Sequence, residues 1–441
     1  NLHDMRDQHR ALLLGCVLVF IGSCKKDTDE NAPNVCIVAP SAGYSLSVPD
    51  TLAIRVEVDD DRVVERLVIA VTNEAGVPIA PAIAVDVNAN AATIEQALVL
   101  IDERLASGHY TIIASASDGT NEKRDFVDLV IQAAPLRLRA VFVAPPTSTL
   151  APYTITRIDS LGVASDWTTV SEFAGAAIDP QTKHVILAGG AHQPLTALPT
   201  DAGSSTWTVA NQNGIGASAP YFLGVCLDPE DGRCYFGTDD GLIRGFTGNG
   251  QSQFNAQALA NYRSYGTAVL GDLLVSHQTE NVLGTHRLVT YATSSGVVQT
   301  NYPLDLETAG LFRRSHDQVL VFGVRAGEGV IQDRNVLLGG NFEMRVFSEG
   351  PITSVMRLNA NIWVIALPNR LVRFDYPSNG ISELAAGISA TALAYEPATG
   401  SLYVGSGNSI TLMDPMTGTI TGTISLSGPV GSILPLLNRR P

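Results

Sequence analysis

Charge is scarce in this chain. Only 16% of its 441 residues are Asp, Glu, Lys or Arg, against about 25% in average chains, which excludes a charge-rich disordered protein and a long coiled coil. Positive charge is the scarcer sign, with 28 Lys and Arg against 43 acids and a formal net charge of −15. No Lys/Arg-rich block occurs, so the basic footprint of a nucleic-acid-binding surface is missing and nucleic acid is not expected as a partner. Aromatics make up 6%, with three Trp, and there are five Cys without CxxC or Cys/His zinc spacing. Forty Gly and 23 Pro are too few for a collagen-like chain. What remains is an acidic, apolar, turn-rich globular chain, with a length prior of about three domains, or two if one is a large all-β unit.

The apolar run Ala11–Ile21 (ALLLGCVLVFI) is too short for the ~20 residues a helix needs to cross a bilayer. It follows Arg6 and Arg10 and ends in Gly22 and Ser23, the order of a secretory signal, with Met5 as a candidate start. Ile21-Gly22-Ser23-Cys24 resembles the lipobox of bacterial lipoproteins: an aliphatic residue, two small residues, then Cys. The resemblance implies cleavage after residue 23, lipidation at Cys24 and anchoring in a membrane by several acyl chains. Lys25-Lys26-Asp27-Thr28-Asp29-Glu30 resembles the charged export signals of Bacteroidetes surface lipoproteins, which implies an outer-membrane protein facing the cell exterior, with the periplasmic face as alternative. Residues 1–24 are thus expected to be a signal and 25–33 a tether.

Residues 34–134 alternate in seven short runs. Two of them are Leu52–Asp60 and Glu65–Asn73, and they are followed by Pro81–Val87 and Ala92–Ile101. Seven Val- and Ile-rich runs in about 100 residues predict a β-sandwich of the Ig-like kind. The order resembles exported bacterial Ig-like and cadherin-like modules, which act as spacers, and Tyr110 stands where such folds carry a corner tyrosine. The cadherin-like resemblance raises calcium at Asp59, Asp60, Asp61 and Asp118, with a solvated acidic turn as the alternative.

From residue 136 to 441 the chain repeats. GAAIDPQTKHVILAGG (Gly175–Gly190), GVCLDPEDGRCYFGTDDG (Gly224–Gly241) and ALAYEPATGSLYVGSGNS (Ala392–Ser409) share an apolar run, an acid-Pro turn and an alternating strand ending in Gly. Pro sets φ in the turn, the acid can cap it, and Gly takes φ > 0. Weaker copies start near Arg139, Ser264, Thr308 and Ile352, which gives seven units of about 44 residues. Cutting the weaker copies differently gives six or eight. A period of 40–50 residues with four strands per unit predicts a β-propeller. Gly428–Leu437 is then the strand that closes the ring. LYVGSGNSITLMDPMTGTITGTI (Leu402–Ile424) resembles YVTN-type and quinoprotein-like propellers of bacterial exported proteins.

Candidate ligand-binding residues are the polar groups near two first strands: Arg263, Tyr265, His277, His286, Arg313, Arg314 and His316. Arg would bind an anionic or sugar ligand through paired hydrogen bonds and Tyr would stack on it. No GxSxG or HExxH motif is present, and the five His from His184 onward have no metal spacing. Quinoprotein dehydrogenases repeat a Trp motif, and Trp167, Trp207 and Trp363 are too few for it, so no cofactor is expected beyond the calcium option. Cys226 and Cys234 flank a turn, either as two buried thiols or as a cross-strand disulfide. The leading expectation is a non-catalytic propeller that binds a protein or glycan. The competing class is a propeller-type hydrolase or lyase on an extracellular polysaccharide, with carboxylates drawn from different units. A third reading is a subunit of a larger envelope complex.

Overall fold

The computed structural model describes residues 31–147, 152–201, 204–229 and 231–440. Cys24 and the expected signal therefore lie outside the described residues, as does most of the tether. The chain divides into two compact units, one ending at Ala134 and one starting at Pro135. Among the described residues, no helix is long and apolar enough to cross a membrane.

The first unit contains β1 (Asn34–Ala39), β2 (Tyr44–Ser47), β3 (Asp50–Asn73), β4 (Ile83–Leu100), β5 (Gly108–Ser117) and β6 (Glu122–Gln132). Two pairs of expected strands prove continuous: Leu52–Asp60 joins Glu65–Asn73 in β3, and 81–87 joins 92–101 in β4. The Asp59–Arg62 stretch has neither Gly nor Pro, so the chain bends through register shifts without leaving the ladder. The first half of β3 pairs with β1 and the end of β4, and its second half pairs with β5 and the start of β4. Alternate residues of both halves, such as Ile54, Val56, Leu67 and Ile69, meet Ile112 and Leu129 in one core. The short β2, which pairs in parallel with β6, had no signal strong enough to be expected.

Among the described residues, the second unit holds seven four-stranded antiparallel sheets. The first is β34 (Ser432–Leu437) with β7 (Leu138–Ala144), β8 (Tyr153–Asp159) and β9 (Ala164–Val170). Next come β10–β13 (Gly175–Asp179, His184–Ala188, Leu195–Pro199, Trp207–Val209) and β14–β17 (Phe222–Leu227, Cys234–Thr238, Leu242–Phe246, Ser252–Gln257). Then follow β18–β21 (Tyr262–Leu270, Leu273–Glu280, His286–Ala292, Val298–Leu304) and β22–β25 (Glu307–Arg313, Gln318–Arg325, Glu328–Asn335, Asn341–Phe347). The last are β26–β29 (Ser354–Arg357, Ile362–Leu367, Arg370–Asp375, Gly380–Ala386) and β30–β33 (Ala392–Glu396, Ser401–Ser406, Ser409–Met413, Ile420–Ser425). The first strands touch in turn, and β34 touches both β30 and β10, so the ring is closed. This is a β-propeller. Its closure by β34 against β7 is the one the sequence predicted.

Three repeated devices hold the sheets together. Small residues stand at one height on the first strands: Gly175, Gly224, Gly266, Gly310, Ser354, Ala392 and Ser432. A Cβ on Gly310 would lie 2.5 Å from Val355 Cγ1, so adjacent strands approach closely there. The turn acids cap as expected: Asp179 accepts from the Gln181 amide at 3.0 Å, and Glu396 from the Thr399 amide at 2.9 Å. Asp228 also reaches the next sheet, where it accepts from the Val269 amide at 2.9 Å. Finally, left-handed residues in the third-to-fourth-strand hairpins abut the fourth strand of the preceding sheet. Gly250 meets Trp207, Gly296 meets Asn255, Gly339 meets Tyr302 and Gly418 meets Leu384. Between sheets, clusters such as Phe322, Trp363 and Phe374 fill the space edge-on and tilted, and each such side chain contributes on the order of 1.5–3 kcal/mol on burial.

Candidate functional site

The first strands begin at one face of the ring, termed the upper face. The residue preceding each small position stands at or just before the upper start of its first strand: Ala174, Leu223, Tyr265, Ala309, Thr353, Thr391 and Gly431. Tyr265 is the only aromatic among them. The register of β18 shifts between Ser264 and Gly266, so Tyr265 is a bulged residue whose side chain leaves the ladder and stands 46% exposed. Thr353 and Thr391 are spent on packing instead: their hydroxyls donate to the Ala390 and Val430 carbonyls of the next sheet at 2.9 and 2.7 Å.

The seven expected binding residues do not form one cluster. Arg263, Tyr265, His277 and His286 belong to the upper half of one sheet. Arg313, Arg314 and His316 lie at the lower end of the next, because β22 runs from Thr308, which touches His277, down to the turn that carries them. The Arg314 guanidinium sits 3.7 Å from the Tyr376 ring centroid and donates to the Ala360 carbonyl at 3.2 Å. His316 is largely exposed, 3.8 Å from Asp317. Arg263 is bound to Asp239, with Nε 2.7 Å from the carboxylate and 2.8 Å from the backbone carbonyl.

His277 is fully buried and unavailable to a ligand. Its Nδ1 is 2.7 Å from Thr308 Oγ1 and its Nε2 is 3.2 Å from His286 Nδ1, which also lies 3.0 Å from Thr279 Oγ1. Burial, and then the neighbouring His286, push the His277 imidazole down to about 3, so it is neutral at pH 7. The matching positions in other sheets carry small residues, such as Ala188, Ala366 and Gly405, or Phe322. His277 is an inter-sheet filler with a polar rim.

The disulfide alternative is not formed: Cys226 and Cys234 are both free thiols. Cys226 pairs with Tyr235 and Cys234 with Leu227, an offset of one residue that sends the two side chains to opposite faces of the sheet. Three of the four Asp of the calcium option have other occupations. Asp118 accepts from the Thr120 and Asn121 amides, both at 2.6 Å, while Asp59 and Asp61 accept from Asn34 and Asn31. Among the described residues no three His, Cys, Asp or Glu side chains converge on a metal position.

One feature of the upper face had no signal in the sequence. A cleft of about 220 Å³ lies between β9 and the β11–β12 pair, lined by Thr168, Val170, Glu172, Leu187, Thr196 and Leu198 among others. Glu172 accepts from the His192 amide at 2.7 Å, the Gln193 amide at 3.3 Å and His192 Nδ1 at 3.2 Å. Burial pushes its carboxyl up, but these hydrogen bonds outweigh burial and hold it below the usual carboxylate range.

No protein-family model matches the sequence, and no curated protein matches it. Solved structures do resemble the fold. A quinoprotein alcohol dehydrogenase-like protein from Bacteroides thetaiotaomicron is 13% identical with a TM-score of 0.42, over 93% of this chain and 98% of that one. A protein of unknown function from Bacteroides caccae is 14% identical at 0.40, over 58% and 99%. BamB from Moraxella catarrhalis is 13% identical at 0.39, over 68% and 91%. With every one of these scores below 0.5, the propeller assignment rests on the closed ring of sheets described above.

Proposed function

We propose that this chain is a lipid-anchored envelope protein of the Bacteroidetes type, whose seven-bladed propeller binds a protein or glycan ligand at its upper face. Cys24 carries the lipid, residues 25–33 form a tether, and an Ig-like spacer over 34–134 holds the propeller away from the outer membrane, facing the cell exterior. The Tyr110 hydroxyl bonded to the Ala106 carbonyl is the corner such sandwiches use, and it supports the Ig-like assignment.

The observation that carries the binding reading is Tyr265. A large aromatic ring is turned into solvent by a bulge, at the one position where the other sheets present small, aliphatic or hydroxyl side chains. Exposing such a ring forfeits its burial energy, and an exposed aromatic near the starts of the first strands suits stacking on a sugar or anchoring a partner side chain. The test is a glycan array and a partner pull-down with the wild-type chain and Tyr265→Ala. Binding at least tenfold weaker in the variant, with unchanged melting, supports the reading. Equal binding by both sinks it. Anchoring is tested separately: membrane association and lipid labelling should vanish in Cys24→Ala.

A further inference from the structure

The cleft beside Glu172 has the chemistry of a receptor for one basic side chain. Its volume of about 220 Å³ is below the roughly 300–1,000 Å³ of small-molecule pockets, enough for a single long side chain. Glu172 is only 16% exposed, and its sole ion-pair partner among the described residues is the half-exposed His192. The carboxylate is therefore oriented by two backbone amides and held in its charged form, while no Lys or Arg neutralises it. The lining is apolar and hydroxylic, with Val170, Leu187 and Leu198 to cover a methylene stem and Thr168 and Thr196 among the polar groups.

The wall on one side is β9, the last strand of its sheet. Among the described residues it pairs only with β8, so the backbone N–H and C=O groups of its outer edge have no strand partner there and can take another strand. The cleft opens alongside Thr168–Val170 of that edge. We propose that an extended segment of a partner protein adds to the free edge of β9 and places a Lys or Arg side chain in the cleft against Glu172. Strand addition supplies the backbone hydrogen bonds, and alternate side chains enter the adjoining recess, the division of labour by which sheet edges recognise peptides. The chain's net charge of −15 attracts such a basic segment at long range. This site is separate from Tyr265, and either can fail without the other.

The probe is a fluorescein-labelled hexapeptide alternating valine and lysine, followed by anisotropy on the full chain. The same peptide with norleucine for lysine should bind at least tenfold more weakly. Glu172→Gln should weaken the lysine peptide at least fivefold without altering thermal melting, and Thr196→Trp, which fills the cleft, should abolish binding. Asp86→Asn, which removes an exposed charge in the first unit, should change nothing. Equal binding of the two peptides, or wild-type affinity in Glu172→Gln, overturns the proposal. So does competition by free lysine amide at the concentration of the peptide itself, which would reduce the site to an amine pocket without strand addition.

Discussion

The Tyr110 hydroxyl donates to the Ala106 carbonyl at 2.9 Å, tying the loop that enters β5 onto the strand it precedes. The ring is buried, while the bond itself is part-buried and ends on the exposed Ala106. Tyr110→Phe should lower the stability of the first unit by about 1 kcal/mol, the net worth of one such bond. Tyr110→Ala should cost about 3–5 kcal/mol by adding a cavity. Urea unfolding of both variants gives the comparison. A Phe variant as stable as wild type would show that the bond fastens nothing.

His277 gives the chain a specific acid sensitivity. An ordinary imidazole takes its proton near 6.5, whereas His277 in the fold resists until about 3. Between those values the unfolded chain binds more protons than the folded one, so stability falls as pH drops, by about 1.4 kcal/mol per unit. Above pH 7 the residue is neutral in both states and adds no slope. His277→Gln keeps a hydrogen-bonding group beside Thr308 but cannot titrate. Between pH 7 and 4.5 it should lose about 2–3 kcal/mol less stability than wild type. Parallel curves for the two proteins would refute the assignment.

Much of the architecture was legible because it is written in short-range chemistry. Pro, Gly and an acid at fixed spacing mark each turn from Asp179, Asp228 and Glu396, and period-2 alternation marks the strands between them. The ring follows from the repeat, since a four-stranded sheet cannot bury both faces alone. What escaped was everything that depends on two sheets at once. Nothing around Glu172 announces a cleft, because half its wall comes from β9 and half from β11 and β12. Likewise Arg263 and Arg314 look equivalent in sequence as basic residues near first strands. One lies at the start of its strand and the other beyond the end, so the ring puts them on opposite faces. The acidic turn at Asp59–Arg62 misled in the other direction, since a bend can carry turn residues without ending a strand.

Gly339 and Gly271 separate two reasons for glycine. Both have left-handed backbones, φ +75° and +66°, but a Cβ on Gly339 would sit 2.5 Å from the Tyr302 ring while one on Gly271 would meet nothing within 4 Å. Gly271→Ala should cost about 1–2 kcal/mol for the backbone alone. Gly339→Ala should cost more, about 2–4 kcal/mol, because the Tyr302 ring must also move and its 2.8 Å hydrogen bond to the Leu337 carbonyl is lost. Equal destabilisation of the two would mean the hairpin is free to shift away from the preceding sheet.

Arg440, just beyond β34, reaches Asp179 at the end of the neighbouring β10. Its Nη2 lies 3.1 Å from Asp179 Oδ1 and 3.0 Å from the Gly232 carbonyl, linking two consecutive sheets. Asp179 is fully buried and, among the described residues, keeps the Gln181 amide and the Thr182 hydroxyl if the guanidinium is removed. Arg440→Ala should therefore destabilise the propeller by about 1–3 kcal/mol, less than a fully buried pair because Arg440 is a third exposed. Adding Asp179→Asn should recover part of that loss, since the amide carries no buried charge. No recovery in the double variant would mean that the Gly232 bond, not the ion pair, is what Arg440 supplies.

The three described thiols should differ sharply in reactivity. Burial pushes the Cys226 thiol up to about 11 and raises Cys234 as well, so at pH 8 neither is appreciably thiolate. Cys36 is exposed on β1. Iodoacetamide on the folded chain at pH 8, mapped by mass spectrometry, should label Cys36 and leave Cys226 and Cys234 unmodified until urea is added. The Cys226 sulfur lies 3.3 Å from Thr267 Oγ1, across the contact between two first strands, so its labelling reports the parting of those strands. Labelling of Cys226 in the folded chain at the rate of Cys36 would mean that the ring opens at this contact without unfolding.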